Sequence, residues 1–398
     1  MISAQEAINI VLENKIDPGI EGVNFEHALG RILREDIKAD RDFPPFNRVA
    51  MDGIAINSPA WEGGRRIFPI EGLQTAGSPQ ESLSQQDNCI EVMTGAMLPQ
   101  NTDIVIRYED VQIKNGTAYV QLETMKTFQN IHLKGTDRKA GEVLIKSDQV
   151  LSPAEIAILA TVGKYTVRVA ALLKVAIVST GDELVEITAT PAPYQIRKSN
   201  VYSLQAAFGQ LGHVVNCYHI KDEETVLQAQ LSKILDEHDL VLLSGGVSKG
   251  KKDYVPDVLE TLQVKKLFHG VKQRPGKPFW FGIKENSNKT AVFGSPGNPV
   301  STFMCFYCYV KPWIKGCYGM DEHVPLAVLT EDFEFGPDLT YYLQVKLAEK
   351  DGQLWATPIK GKGSGDLANL LEADAFLELP AGGAEFKEGT LFPVYRFR

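Results

Sequence analysis

From about residue 172 the apolar positions switch between two patterns. Short runs, ALLKVAIVST, HVVNCYHI, LVLLS and TAVFG, read as strands, and the continuous apolar run Leu240 to Leu243 suits one buried on both faces. Between them apolar residues recur at helical spacing. SNVYSLQAAFGQLG aligns Val201, Leu204, Phe208 and Leu211. TVLQAQLSKIL aligns Leu227, Leu231, Ile234 and Leu235. DYVPDVLETL aligns Val255, Val258, Leu259 and Leu262. PVSTFMCFYCYVKPWI is nearly all apolar and reads as a buried helix. Strand and helix in alternation predict a doubly wound, mostly parallel α/β domain. Residues 1 to about 40 read as helical. Ser3 and Glu6 form a capping box ahead of Ile8, Val11 and Leu12, and EHALGRILRED continues the pattern. Pro44 and Pro45 break it, and from about 43 to 140 the chain reads as β-rich, with an Asn115-Gly116 hairpin turn. Helix returns at SPAEIAILATVG, with Ser152 as N-cap, Pro153 first, Glu155 completing a capping box and Gly163 as the stop. From about 320 the pattern is β again, with an Asp351-Gly352 hairpin.

Composition narrows the class. A chain of 398 residues is longer than one core usually serves. With 44% hydrophobic and 23% charged residues it reads as soluble and globular. Lys+Arg is 41 against Asp+Glu 50, a net charge of −9, which argues against a general nucleic-acid or acidic-membrane binder. No apolar run reaches the roughly 18 residues of a membrane span. MISAQEAINIVLENK has no basic region before an apolar core, so no secretory signal is expected and the cytoplasm is the expected location. Five scattered cysteines make no disulfide framework.

The chemistry gathers at the strand ends, where an open α/β sheet binds its ligands. VAIVST runs into Gly181-Asp182-Glu183, and HVVNCYHI into Lys221-Asp222-Glu223. LVLLS runs into Gly245-Gly246-Val247-Ser248, and TAVFG into Ser295-Pro296-Gly297-Asn298-Pro299. Each piece has a bland reading: Asp253 and Asn298-Pro299 as helix caps, Gly245-Gly246 as a turn, the STGDE carboxylates as a solvated loop. On one rim, together, they read as a site. VKQRPGKPFWFG then adds Lys272, Arg274 and Lys277, stiffened by Pro275 and Pro278. Rigid cations beside bare backbone suit a phosphate or another oxyanion. Glu183, Asp222 and Asp253 would repel that anion unless Mg²⁺ lies between. Cys305 and Cys308 have CxxC spacing but lie within an apolar helix, without a second pair, and read as core. The seven His show no metal-ligand spacing, and no Ser–His–Asp signature is evident.

STGDE, SGGVS with a downstream Asp-Tyr, PGKP and GSPGNPVS occur in the order found in the molybdenum-cofactor biosynthesis fold. AMDGIA (50–55), VMTGAMLP (92–99), GTDRKAGE (135–142) and GKGSGDLANLLEADAF (361–376) resemble the flanking domains of its molybdate-insertion branch. The chain therefore resembles, over essentially its whole length, the MoeA-type molybdopterin molybdenumtransferases, similar to the E domain of gephyrin. That resemblance implies an elongated subunit: a helical part from 1–42 with 140–171, an inserted β part over 43–139, the α/β domain over 172–318 and a C-terminal β-barrel-like domain over 319–398. It implies a homodimer whose partner brings Asp52, Thr94 and Asp137 to the cleft. The implied reaction takes adenylylated molybdopterin and molybdate to molybdenum cofactor and AMP, with Mg²⁺ at Glu183, Asp222 and Asp253. Gly245, Gly246, Pro296, Gly297, Asn298 and Pro299 would present backbone to the substrate. Ser248, Arg274, Lys277 and Ser364 would bind molybdate, and a molybdopterin adenylyltransferase would hand over the substrate.

Five positions depart from the family pattern. Asn47 and Val49 stand for Asp and Ser, Lys198 for Asp, Arg274 for a frequent Lys, and Gln344 for an arginine. Two rivals follow: an adenylyltransferase on the same α/β fold, which would not need the large N-terminal region, and a non-catalytic dimeric scaffold of the family.

Overall fold

A computed structural model describes residues 1–247, 254–285, 289–320, 323–361 and 363–398. The chain forms two compact units: Met1–Glu21 with Ala170–Arg398, and Gly22–Val169.

The larger unit is built on a six-stranded sheet. Its elements are β1 (Val175–Thr180), α1 (Ser199–Gln210), β2 (Val215–Ile220), α2 (Glu224–Glu237), β3 (Leu240–Ser244), α3 (Val255–Thr261), β4 (Val264–His269), β5 (Trp280–Lys284), β6 (Thr290–Ser295) and α4 (Pro299–Cys305). The spatial order is β2-β1-β3-β6-β5-β4. The first four are parallel, and β5 and β4 extend the sheet antiparallel. Every residue of β1, β3 and β6 is buried, as their unbroken apolar runs require. The helical faces read from the sequence close over them. Leu227, Leu231, Ile234 and Leu235 of α2 and Val255, Val258 and Leu259 of α3 pack on Ala176, Val178, Val241 and Leu243. Each such side chain contributes about 1.5–3 kcal/mol on leaving water.

The sequence pattern alone does not mark β4 and β5. VKKLFH carries Lys265 and Lys266, both exposed on what is an edge strand, so no apolar run marks it. The apolar stretch after β6 is also not one α-helix. Pro299–Cys305 and Lys311–Cys317 are α-helical, and Phe306–Val310 between them makes a π-helical turn.

The same unit also holds a barrel. Thr340–Lys350 pairs with Gln353–Pro358 on one side and Ala375–Leu379 on the other. Leu326–Leu329 and Leu391–Arg396 complete the ring, so five strands close on themselves. The hairpin turn is the expected one, with Asp351 at φ 53 and Gly352 at φ 74. Gln273–Arg274 adds a two-residue parallel ladder to Thr340–Tyr341.

The smaller unit holds a second six-stranded sheet. Gly53–Ile56 runs between Ile104–Arg107 and Cys89–Val92. Ile54 and Ile56 enter one core and Ala55 the other, the period-2 alternation of a strand buried on both faces. Asn115 and Gly116 (φ 49 and 73) make the hairpin turn. Both capping boxes, Ser3/Glu6 and Ser152/Glu155, are formed, each in its own unit.

The helix expected over EHALGRILRED does not form. Phe25–His27 makes one 3-10 turn, and Gly30 at φ 76 diverts the chain. Ile32 and Leu33 then bridge to Val150 and Val169. Ala28 and Leu33 bury against Leu159 of helix Pro153–Thr161, so the apolar spacing is satisfied by packing instead of by a helix.

Candidate functional site

The carboxyl ends of β1, β2, β3 and β6 open on a cavity of about 740 Å³. Glu183, Asp222, Gly245, Gly246, Pro296, Gly297, Asn298 and Pro299 all line it. Gly245 and Gly246 take φ 100 and 68. A Cβ on Gly245 would stand 2.8 Å from Thr180 O, and one on Gly246 2.8 Å from Thr180 Oγ1. No other residue makes that turn without moving β1. The Glu183 carboxylate folds over Gly181, where a Cβ would meet Oε2 at 2.6 Å.

Asn200, at the start of α1, ties the loops together. Its Nδ2 lies 2.9 Å from Ser244 Oγ, 2.8 Å from Gly297 O and 3.4 Å from Thr302 Oγ1. The floor beneath carries two buried hydroxyls, Thr180 Oγ1 and Ser295 Oγ, without a hydrogen-bond partner among the described residues. Orphaned hydroxyls are costly and mark a place for a ligand or water. Glu183 and Asp222 bring two carboxylates, hard oxygen donors, to this one cavity. Among the described residues no three His, Cys, Asp or Glu side chains come close enough to form a metal site. Asp253, the third carboxylate of the expected set, and Ser248 lie outside the described residues.

Arg274 and Ser364 do not line this cavity. They line a second one, of about 570 Å³, with Pro275, Val300, Tyr341, Tyr342 and Gln344. The two cavities share Gly365. Asn298 of the first donates to Ser364 Oγ of the second (3.0 Å). Asn298 is in N-cap position for α4, but its side chain makes no cap bond; it is spent on Ser364. Lys277 is exposed and lines neither cavity. Gln344 is held by Asn369, whose Nδ2 donates to Gln344 Oε1 (2.9 Å). That leaves the amide NH₂ as the donor end. Lys198 is buried at the wall of the larger cavity, with Nζ 2.5 Å from Glu186 Oε1. A third cavity, about 530 Å³, lies along edge strand β2. Ser179 Oγ and His219 Nδ1 meet there at 3.1 Å, but Ser179 is buried and not an accessible nucleophile.

Asp52, Thr94 and Asp137 belong to the smaller unit. Asp52 Oδ1 accepts from Thr94 N (2.6 Å) and Thr94 Oγ1 (2.7 Å). The backbone N–H, and then the hydroxyl, hold its carboxyl below the usual range. Asp137 meets His132 Nε2 at 2.8 Å, and His132 Nδ1 lies 3.0 Å from an Arg48 nitrogen. Arg48 can only donate, so the neutral His132 carries its proton on Nε2 and donates to Asp137. Neither His132 nor Arg48 stands out in the sequence; only the register Arg48↔His132 brings them together. Asn47 Oδ1 accepts from Lys134 N (2.9 Å), an acceptor role an Asp would share. Val49 is fully buried among Ala55, Ile90 and Val92.

Comparison with known proteins settles the lineage. The MoeA N-terminal region (domain I and II) matches residues 2–163, a probable molybdopterin binding domain matches 176–316, and the MoeA C-terminal region (domain IV) matches 326–397. A molybdopterin molybdenumtransferase of Synechocystis sp. is 41% identical, over 99% of this chain and 100% of the relative. The chain belongs to the MoeA family. Another MoeA-family relative, a molybdopterin molybdenumtransferase of Staphylococcus epidermidis, is 32% identical over 99% of this chain and 95% of its own. The molybdopterin biosynthesis moeA protein of Pyrococcus horikosii superposes with a TM-score of 0.85 at 31% identity, covering 100% of this chain and 99% of that one. The MoeA-family relatives thus share the chain's full domain series, not its α/β part alone. No helix among the described residues is long and apolar enough to cross a membrane.

Proposed function

We propose that this chain inserts molybdate into adenylylated molybdopterin, releasing AMP and molybdenum cofactor. One observation carries the reading: a glycine-and-carboxylate cavity adjoins a cavity with Arg274 and Ser364, and the two share Gly365. A nucleotide-linked substrate in the first would lie against an oxyanion in the second. Backbone at Gly245, Gly246 and Pro296 to Pro299 holds the substrate. Arg274, Lys277, Ser248 and Ser364 bind the tetrahedral dianion, Arg274 with a planar fork suited to paired oxygens. Glu183, Asp222 and Asp253 would hold Mg²⁺, which would supply positive charge against the phosphates. Donors already fixed around the phosphoanhydride stabilise charge as it breaks, without reorganisation. Asp52, Thr94 and Asp137 complete the cleft from the second subunit of a homodimer, in a four-part domain arrangement. The setting is the cytoplasm, with a molybdopterin adenylyltransferase supplying the substrate.

The test is AMP release from purified protein with adenylylated molybdopterin and Mg²⁺, with and without molybdate. Molybdate-dependent release, lost in Asp253→Ala, supports the insertase. A folded dimer that leaves the substrate intact would replace it with the scaffold reading. The matched N- and C-terminal regions weigh against a stand-alone adenylyltransferase.

A further inference from the structure

Gln273, the residue before Arg274, is completely buried and held at both ends. Its Nε2 donates to Gly276 O (3.1 Å) and lies 3.8 Å from Cys305 Sγ. Its Oε1 accepts from Tyr309 Oη. Tyr309 Oη also lies 3.2 Å from Tyr342 Oη, and Tyr342 lines the smaller cavity. Gly276 has φ 83, and a Cβ there would stand 2.9 Å from both Cys305 Sγ and Gln273 Nε2. The turn of RPGKP therefore rests directly on Gln273 and Cys305. The segment has one end in each cavity: Arg274 and Pro275 line the smaller, Pro278 the larger.

Tyr309 reaches Gln273 from the π-helical turn Phe306–Val310. Such turns interrupt a regular helix and occur often at functional sites. Here the same helical stretch begins at Pro299, on the larger cavity, and carries Tyr309 nearly three turns later. Burial pushes the Tyr309 phenol well up, so it remains a donor at neutral pH.

We propose that Tyr309 is a positioning residue. Acting through Gln273, it sets the RPGKP segment and so places Arg274 against the oxyanion. This rests on the insertase reading and adds a residue that touches neither substrate. Cys305 serves the same seat, packing directly under the turn at Gly276.

The test compares Tyr309→Phe with Tyr395→Phe. Tyr395 is a half-buried tyrosine of the same unit; its ring packs edge-on against Tyr342, but its Oη donates to Glu378 Oε2 (2.9 Å) and not to Gln273. Tyr309→Phe should raise half-saturating molybdate roughly three- to ten-fold, the size of one buried hydrogen bond. Turnover at saturating molybdate should stay within about two-fold. Tyr395→Phe should lower the thermal midpoint without moving molybdate saturation. Equal effects of the two variants on molybdate saturation, or none from Tyr309→Phe, would overturn the proposal. Gln273→Met, which removes both ends of the bond pair, gives the same reading should Tyr309→Phe not fold. If the wild type releases no AMP on molybdate addition, the insertase reading fails. Calorimetric molybdate binding to the same variants then decides the positioning role by the same criteria.

Discussion

The two cavities adjoin but are made of different material. The larger sets glycine backbone against carboxylates: glycines 181, 245, 246 and 297 with Glu183 at the ends of the fully buried β1, β3 and β6, and Asp222 after the partly exposed β2. The smaller has no carboxylate and sets polar side chains, Arg274, Tyr341, Tyr342, Gln344 and Ser364, beside Gly361, Gly363 and Gly365, from segments up to ninety residues apart. A backbone-made cavity tolerates little, because a Cβ at Gly245 or Gly246 collides with β1. A side-chain cavity can exchange one polar group for another. Gln344 sits in the side-chain cavity. Lys198 shows that the wall of the larger cavity can also change, but there the new charge is spent on Glu186.

The sharpest way to break this comparison is at the carboxylates. Glu183→Ala and Asp222→Ala should each cut molybdate-dependent AMP release by on the order of 100-fold or more, the scale of a lost pre-set electrostatic contact. Normal turnover in either variant would remove the larger cavity from the chemistry. Next in size is Arg274→Ala. Losing charge-assisted hydrogen bonds of about 1.5–3 kcal/mol should raise half-saturating molybdate roughly 10- to 100-fold. Saturation with the adenylylated substrate should change far less. If both saturations rise together, the two cavities are not separate subsites. Smaller again, Gln344→Arg should tighten molybdate binding several-fold and steepen its salt dependence, since a further cation joins Arg274 in the cavity. Weaker binding would mean that the Gln344–Asn369 pair is itself part of the oxyanion contact.

The same division decides what could be read in advance. Glu183, Asp222, Gly245, Gly246 and residues 296–299 follow from one rule, that ligands meet the carboxyl ends of parallel strands, and the strands were plain in the apolar runs. The placement of Arg274 with Ser364, apart from those residues, was not legible. It depends on a two-residue ladder between Gln273–Arg274 and Thr340–Tyr341, which no period announces. Tyr309 was hidden for a related reason: a π-helical turn leaves an all-apolar helix looking regular. His132 and Arg48 likewise meet only through strand register. The misread segment over 26–36 shows the converse. Apolar residues at helical spacing there serve an irregular chain, because Gly30 and the bridges to Val150 and Val169 set its path.

The smallest expected effect tests whether the wall behind the smaller cavity is structural only. Glu378 lies opposite Tyr342 in the barrel and accepts from Tyr395 Oη. Burial raises its pKa, with the Tyr395 bond opposing in part. For an acid raised in the folded state, the folded protein holds a proton that the unfolded chain has lost. That difference begins at the ordinary glutamate value and ends at the raised one, so stability falls as pH rises through this window. Glu378→Gln keeps an acceptor for Tyr395 and cannot ionise. Its thermal midpoint should match the wild type near pH 4 and exceed it by about 1–2 degrees near pH 7.5, roughly the shift of 1 kcal/mol in a chain of this size. Molybdate saturation should not move in that variant. A change in saturation at equal stability would show that charge behind Tyr342 reaches the oxyanion, and that the side-chain cavity extends deeper into the barrel than its lining.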